Sequence, residues 1–349
     1  MNDLHAFYAS QQDDGRESRL DAIRRQAQEK GVVEQPGVRP MGGPMPIASP
    51  QAGYYQQPLL KKPQWTPLIP IYFFVGGASG SLGVIGSLAD LLAGESSMAR
   101  KARWMALGGA GLSGILLIVD LGRPSRFLNM LRVFKPQSAM SMGTWILSGF
   151  SASTALSSLA DVLEAESGPS GHFVAFLRAL GRTGSVIFGM PFHNYTGVLI
   201  AASVIPVWNH RVHSLPREFG MSGLQAAVSL LELTGETGSN ALNATGLVSA
   251  AFETWEGIDL LRTKHPALKA AKRGWSGLLV QVAGVLSGPV PMALRVASMF
   301  AKDKKRLRRL AAISGVAGSL MLRYGWVSAG AASSRDWRIP LDIEEPRQT

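Results

Sequence analysis

Leu116–Trp145 reads LLIVDLGRPSRFLNMLRVFKPQSAMSMGTW. It opens as apolar helix, closes that helix on Asp120, and breaks at Gly122-Arg123-Pro124, because proline disfavours helical geometry in the residue before it. A short amphipathic run follows, in which Phe127, Met130, Leu131 and Phe134 interleave with Arg126, Arg132 and Lys135. A second apolar helix begins near Met140. Two apolar segments joined by a charged elbow read as a pair of membrane spans. A bilayer penalises charge, so an acid at the end of such a span is a candidate working group.

The same pattern repeats outward from this stretch. The chain has 349 residues, 46% hydrophobic and 17% charged, but that average hides a polar first sixty residues followed by apolar blocks with short charged loops. Blocks near the twenty residues that a bilayer requires predict an all-α, polytopic membrane protein. About eight transmembrane helices are expected, arranged as two four-helix bundles. They are read at 68–92, 104–121, 140–163, 195–208, 215–233, 241–261, 277–299 and 310–332, with 164–192 as a long connection. Gly76, Gly80 and Gly83 share one face of the first and predict close helix approach. Residues 1–60 read as a polar, largely disordered tail, 61–335 as the transmembrane domain and 336–349 as a second tail.

The net charge of +11 sits in the loops, where membrane proteins keep it. No nucleic-acid partner is expected. Basic residues occur on both sets of loops, so orientation stays open. The absence of cysteine excludes thiolate-held zinc and protein-bound iron–sulfur clusters within this chain. No two histidines are placed mid-membrane on facing helices, so no haem is expected either.

Several stretches resemble one family in matching order. Asp120–Leu147 is similar to the segment joining the second and third helices of NrfD-like membrane subunits, which include the polysulfide reductase membrane subunit. YFFVGGASGSLG (Tyr72–Gly83), NYTGVLIAASVIPVW (Asn194–Trp208) and LMLRYGWVSAGAAS (Leu320–Ser333) resemble that family's first, fourth and last helices. The resemblance implies a quinone-reactive anchor, in the bacterial cytoplasmic membrane, of a complex iron–sulfur molybdoenzyme-type assembly. It would exchange electrons between a bound quinone, menaquinone or ubiquinone, and a ferredoxin-like iron–sulfur partner, with a further catalytic subunit beyond. The long N-terminal tail and the short, polar fourth and fifth spans depart from the family.

The residues themselves nominate candidates for such chemistry. A quinol gives up two electrons and two protons, so its site needs hydrogen-bonding groups and a proton acceptor. Asp120 is the first choice for the proton; the alternative is an ion pair with Arg123 or Arg126. Tyr72, His193 and Tyr195 can hydrogen-bond a quinone oxygen or belong to an interfacial aromatic belt. Trp145 can stack on the ring or pack in the core. Glu253 and Glu256 share a helix face, as a proton path or an ion pair with Arg323, unless the span is misplaced and they lie in water. Arg123, Arg126, Arg132 and Lys135 read as a partner-docking surface or as an amphipathic helix on membrane lipid. A proton or solute transporter and a purely structural anchor remain as other functions.

Overall fold

Besides Ala22 and Arg25, the computed structural model describes residues 60–93, 97–121, 124–167, 171–336 and 339. The expected tails at 1–60 and 336–349 fall almost wholly outside these residues. The described chain is helical throughout, with no strand among the described residues. The long helices are α1 (Leu68–Ala93), α2 (Ser97–Asp120), α3 (Ala139–Ser167), α4 (His172–Ala201), α5 (Leu215–Leu233), α6 (Asn240–Arg262), α7 (Gly274–Ser287), α8 (Pro289–Phe300) and α9 (Lys304–Ser333). A 3-10 stretch, Pro124–Leu131, follows α2, and one-turn helices lie at Pro206–Asn209 and Lys269–Lys272.

Local chemistry sets the boundaries. Ser239 caps α6 by accepting from the Leu242 amide at 3.2 Å, and Asp303 caps α9 through Arg306 at 3.2 Å. Pro216 and Pro289 sit in the first turns of α5 and α8, where the missing N–H costs nothing. The helical path through 274–300 therefore breaks at Gly288.

α1, α2, α3 and α4 pack in a ring, each on its neighbours, and α4 closes back on α1. α5, α6, the α7–α8 pair and α9 form a second ring. The rings meet where α1 and α4 pack on α5; a Cβ on Gly223 of α5 would lie 2.8 Å from the Gly77 carbonyl of α1. Within the first ring a Cβ on Gly80 would stand 2.7 Å from the His193 amide, so α1 and α4 touch backbone to backbone, as the glycine spacing predicts.

Among the described residues, six segments are long and apolar enough to cross a membrane: α1, α2, α3, α4, Gly274–Phe300 and α9. α5 and α6 complete the second ring but carry buried acids, which lower their hydropathy. The chain is an all-α, multi-pass integral membrane protein. Alternate crossings place the loops 121–138, 202–214 and 263–273 at one end, called here the Asp120 end, and the turns 234–239 and 301–303 at the other.

The reading of 164–192 as a connection is overturned. α3 runs on to Ser167, and α4 begins at His172 and includes Pro191. Gly181, Gly184 and Gly189 look like helix breakers, but each lies against α3 or α1. Arg182 reaches Asp90 of α1 at 3.1 Å, which offsets part of the cost of its charge. The fourth span correspondingly ends at Ala201, before Pro206, which opens a separate helical turn.

Candidate functional site

The junction of α2 with the Pro124–Leu131 turn closes one side of a cavity of about 320 Å³ at the Asp120 end of the first ring. Trp65, Tyr72 and Phe73 line it from the α1 side, Phe127 and Met130 from the turn, and Thr144 from α3. Asp120 stands in this otherwise apolar wall. Its Oδ1 accepts from the Thr66 hydroxyl at 2.6 Å, leaving the second oxygen for another donor. Tyr72 is buried, yet its hydroxyl makes no hydrogen bond within the described residues. Leu121 and Met140 line it and are exposed. The cavity therefore places an acid and an unspent phenol beside exposed apolar residues at the ends of α2 and α3.

Tyr195 stands behind this wall. Its hydroxyl donates to the Ala139 carbonyl at 2.6 Å and its ring fills the space that a side chain at Gly143 would need, so it fixes the start of α3 against α4. Trp145 is turned away and packs edge-on against Phe134 at 5.9 Å. His193 lines a different cavity of about 520 Å³, among Leu88, Met190 and Leu224 between α1, α4 and α5. Of the four residues expected to hold a quinone, only Tyr72 shares a cavity with Asp120. Arg132 and Lys135 are exposed on the loop beneath it. Arg123 and the Arg126 side chain lie outside the described residues, so the alternative ion pair of Asp120 falls there too.

The second ring holds the other acids. Glu253 and Glu256 are both buried and not in water. Glu253 accepts from the Ser287 hydroxyl at 2.9 Å, and its other oxygen has no partner. Glu256 pairs with Arg211 of the α4–α5 connection, which also reaches Asp259 at 3.1 Å. Arg323 does not extend to the interface. It is wholly buried, donates to the Phe219 carbonyl at 2.8 Å and covers the Phe219 ring at 4.3 Å. Glu218, absent from the sequence candidates, accepts from Trp326 at 3.1 Å and shares a cavity of about 230 Å³ with Glu253.

A polar seam runs on from there. Glu218, Ser222, Gln225, Ser229 and Glu232 are all buried on one face of α5. Their steps of four and three residues are the spacing of a helix seam, normally filled by apolar side chains. At 1.5 Å per residue the seam spans about 21 Å. Ser222 bonds Ser319 of α9 at 2.8 Å, whereas both amide atoms of Gln225 and the Ser229 hydroxyl have no hydrogen-bond partner among the described residues. At the far end Glu232 receives a two-pronged bond from Arg295, at 2.8 and 2.7 Å, both residues being 0% exposed. That periodicity was present in the sequence, where Leu215–Leu233 reads as a polar span without showing that its polar residues share one buried face.

The first ring has a buried charge cluster of its own at the far end. Arg103 of α2 is held by Asp161 of α3 and Asp90 of α1. It joins the helices and lines no cavity described above.

The family model described as polysulphide reductase, NrfD matches residues 59–235, just over half of the chain. The match takes in the first ring, Asp120 and α5, and stops before α6. The last stretch of resemblance, Leu320–Ser333, lies outside it. No curated protein matches the chain.

Proposed function

Because the chain belongs to the polysulphide reductase NrfD family, we propose that it is the quinone-reactive membrane subunit of a redox complex. The observation that carries this reading is the cavity in which Asp120 and Tyr72 face one largely apolar space beside Trp65, with the exposed Leu121 and Met140 among its lining residues. A volume of about 320 Å³ lies at the lower end of the range for small-molecule sites. It suits a ring headgroup whose isoprenoid tail stays in the bilayer. Tyr72 holds one ring oxygen by a hydrogen bond, and Asp120 takes the proton from the other; once Asp120 has passed that proton out to water it takes the second, as the two electrons leave to the partner. Thr66 orients the carboxylate, and the aromatic walls exclude water. A quinol supplies the two electrons and two protons. With no cysteine in the chain, the electrons pass to a partner, an iron–sulfur subunit seated on the Arg132–Lys135 loop.

Protons released there need a route. The Glu218–Glu253–Arg323 group and the α5 seam supply donors and acceptors without partners, in a segment where buried water or a moving proton satisfies them. This seam is the specific feature favouring a second reading, proton translocation by the second ring.

The test uses the purified complex. A menaquinone analogue should quench Trp65 fluorescence. Asp120→Asn should lower quinol oxidation by about 100-fold, the lower range for a lost general base, with the complex still assembled. Unchanged turnover in that variant overturns the site. Proton flux through the chain alone in liposomes, lost in Glu253→Gln, separates the second reading from the first.

A further inference from the structure

A larger cavity, about 540 Å³, lies at the Asp120 end of the second ring, between the first turn of α7 and the last turn of α9. Lys62, Lys269, Arg273 and Arg335 line it, with Asp336 the one carboxylate among the described lining residues. The side chains of Lys62, Arg273 and Arg335 make no ion pair among the described residues. The first turn of α7 forms part of the wall, and no side chain caps it, so its amides add to the positive field.

The surface continues along an exposed apolar face of α7, part of a segment long and apolar enough to cross a membrane. Trp275, 71% exposed, lines the cavity and stands at the start of α7. Leu278, Val282 and Val285 follow at three, seven and ten residues beyond it, each exposed, and so form one apolar stripe along the helix. A cationic cup at the helix ends, a tryptophan at the interface and an apolar track below are the three contacts that a phospholipid needs. An acidic protein segment would engage the cup and leave the track bare.

We propose that this cavity binds the phosphodiester headgroup of an anionic phospholipid, whose acyl chain lies along the Trp275–Val285 stripe. Arg273 and Arg335 grip the phosphate oxygens and Lys62 closes the cup. Lys62 is three residues before Trp65, so an occupied cup also tethers the segment that forms one wall of the Asp120 cavity. The inference stands independently of the quinone reading.

The experiment uses the full chain purified in nonionic detergent, with phosphatidylglycerol, phosphatidylcholine and inorganic phosphate as probes. Phosphatidylglycerol should raise the melting temperature; the other two, at equal concentration, should not. Removing two cations at about 1 kcal/mol each predicts that Arg273→Gln with Arg335→Gln weakens phosphatidylglycerol binding about 30-fold. Phosphatidylglycerol brominated in its chains should quench a fluorescence component that Trp275→Phe lacks, a readout that stays available if the double variant misfolds. Equal protection by phosphatidylcholine, protection by phosphate alone, full binding by the double variant, or quenching unchanged in Trp275→Phe would each overturn the proposal.

Discussion

The two rings bury charge in opposite ways. In the first, Arg103, Asp90, Asp161 and Arg182 neutralise one another at the far end, and a single acid faces the cavity at the other. In the second, polar groups follow α5 from Glu218 to Glu232, and several of their atoms have no partner. A cluster of paired opposite charges fixes helices in place, although Asp90 Oδ1 is still without a hydrogen bond among the described residues. A row of unsatisfied groups costs stability in a low-dielectric interior, and such cost is commonly kept at working sites. The first ring thus offers a cavity with one acid, and the second a row of polar groups along α5.

The largest effect should come from breaking the seam's buried ion pair. Arg295→Met leaves Glu232 buried and unpaired, and should lower stability by about 3–5 kcal/mol, read as a fall in melting temperature. Replacing both residues with apolar ones should restore most of it. Next, Tyr72→Phe removes one hydrogen bond of about 1 kcal/mol and should weaken quinone-analogue binding roughly fivefold without changing the melt. Tyr195→Phe should instead lower stability by a similar amount, since its hydroxyl holds Ala139; equal effects on binding from both tyrosines would erase the distinction drawn between them.

A smaller effect tests the seam directly. Gln225→Leu removes two buried polar atoms that have no partners. It should be neutral or stabilising by up to about 1 kcal/mol while proton flux falls. Marked destabilisation would show that Gln225 is a structural bond of the bundle. The smallest effect lies outside the spans. His210 stacks on His265 at 3.9 Å, and its pKa is lowered from 6.5, by burial first and then by His265 and Arg211. The unfolded chain therefore binds more protons than the folded one as pH falls through that range, so acidification should reduce stability. His210→Asn should flatten the slope of melting temperature against pH.

Much of the fold was legible because apolar block length is a direct record of bilayer thickness. The exceptions have identifiable causes. α4 was shortened because Gly181, Gly184 and Pro191 carry the usual signals of a loop; in a bundle, small residues mark contact and neighbouring helices tolerate the proline. Asp120 and Tyr72 were visible as unusual residues at span ends. Their meeting was not, since 48 residues separate them and only the packing of α1 on α2 brings them together. His193 and Trp145 carried equal chemical promise and lie elsewhere, because the rotation of a helix about its axis is set by its neighbours.

The amino-acid sequence by itself determined the membrane class, the helical content and the places where charge interrupts the spans, since these follow from local hydrophobicity and helix period. Only the tertiary structure decided which charges are partners and which share a cavity. Glu256 found Arg211, Glu232 found Arg295, and Arg323 stayed inside. Those outcomes depend on distances between helices far apart in the chain, for which no local pattern carries the information.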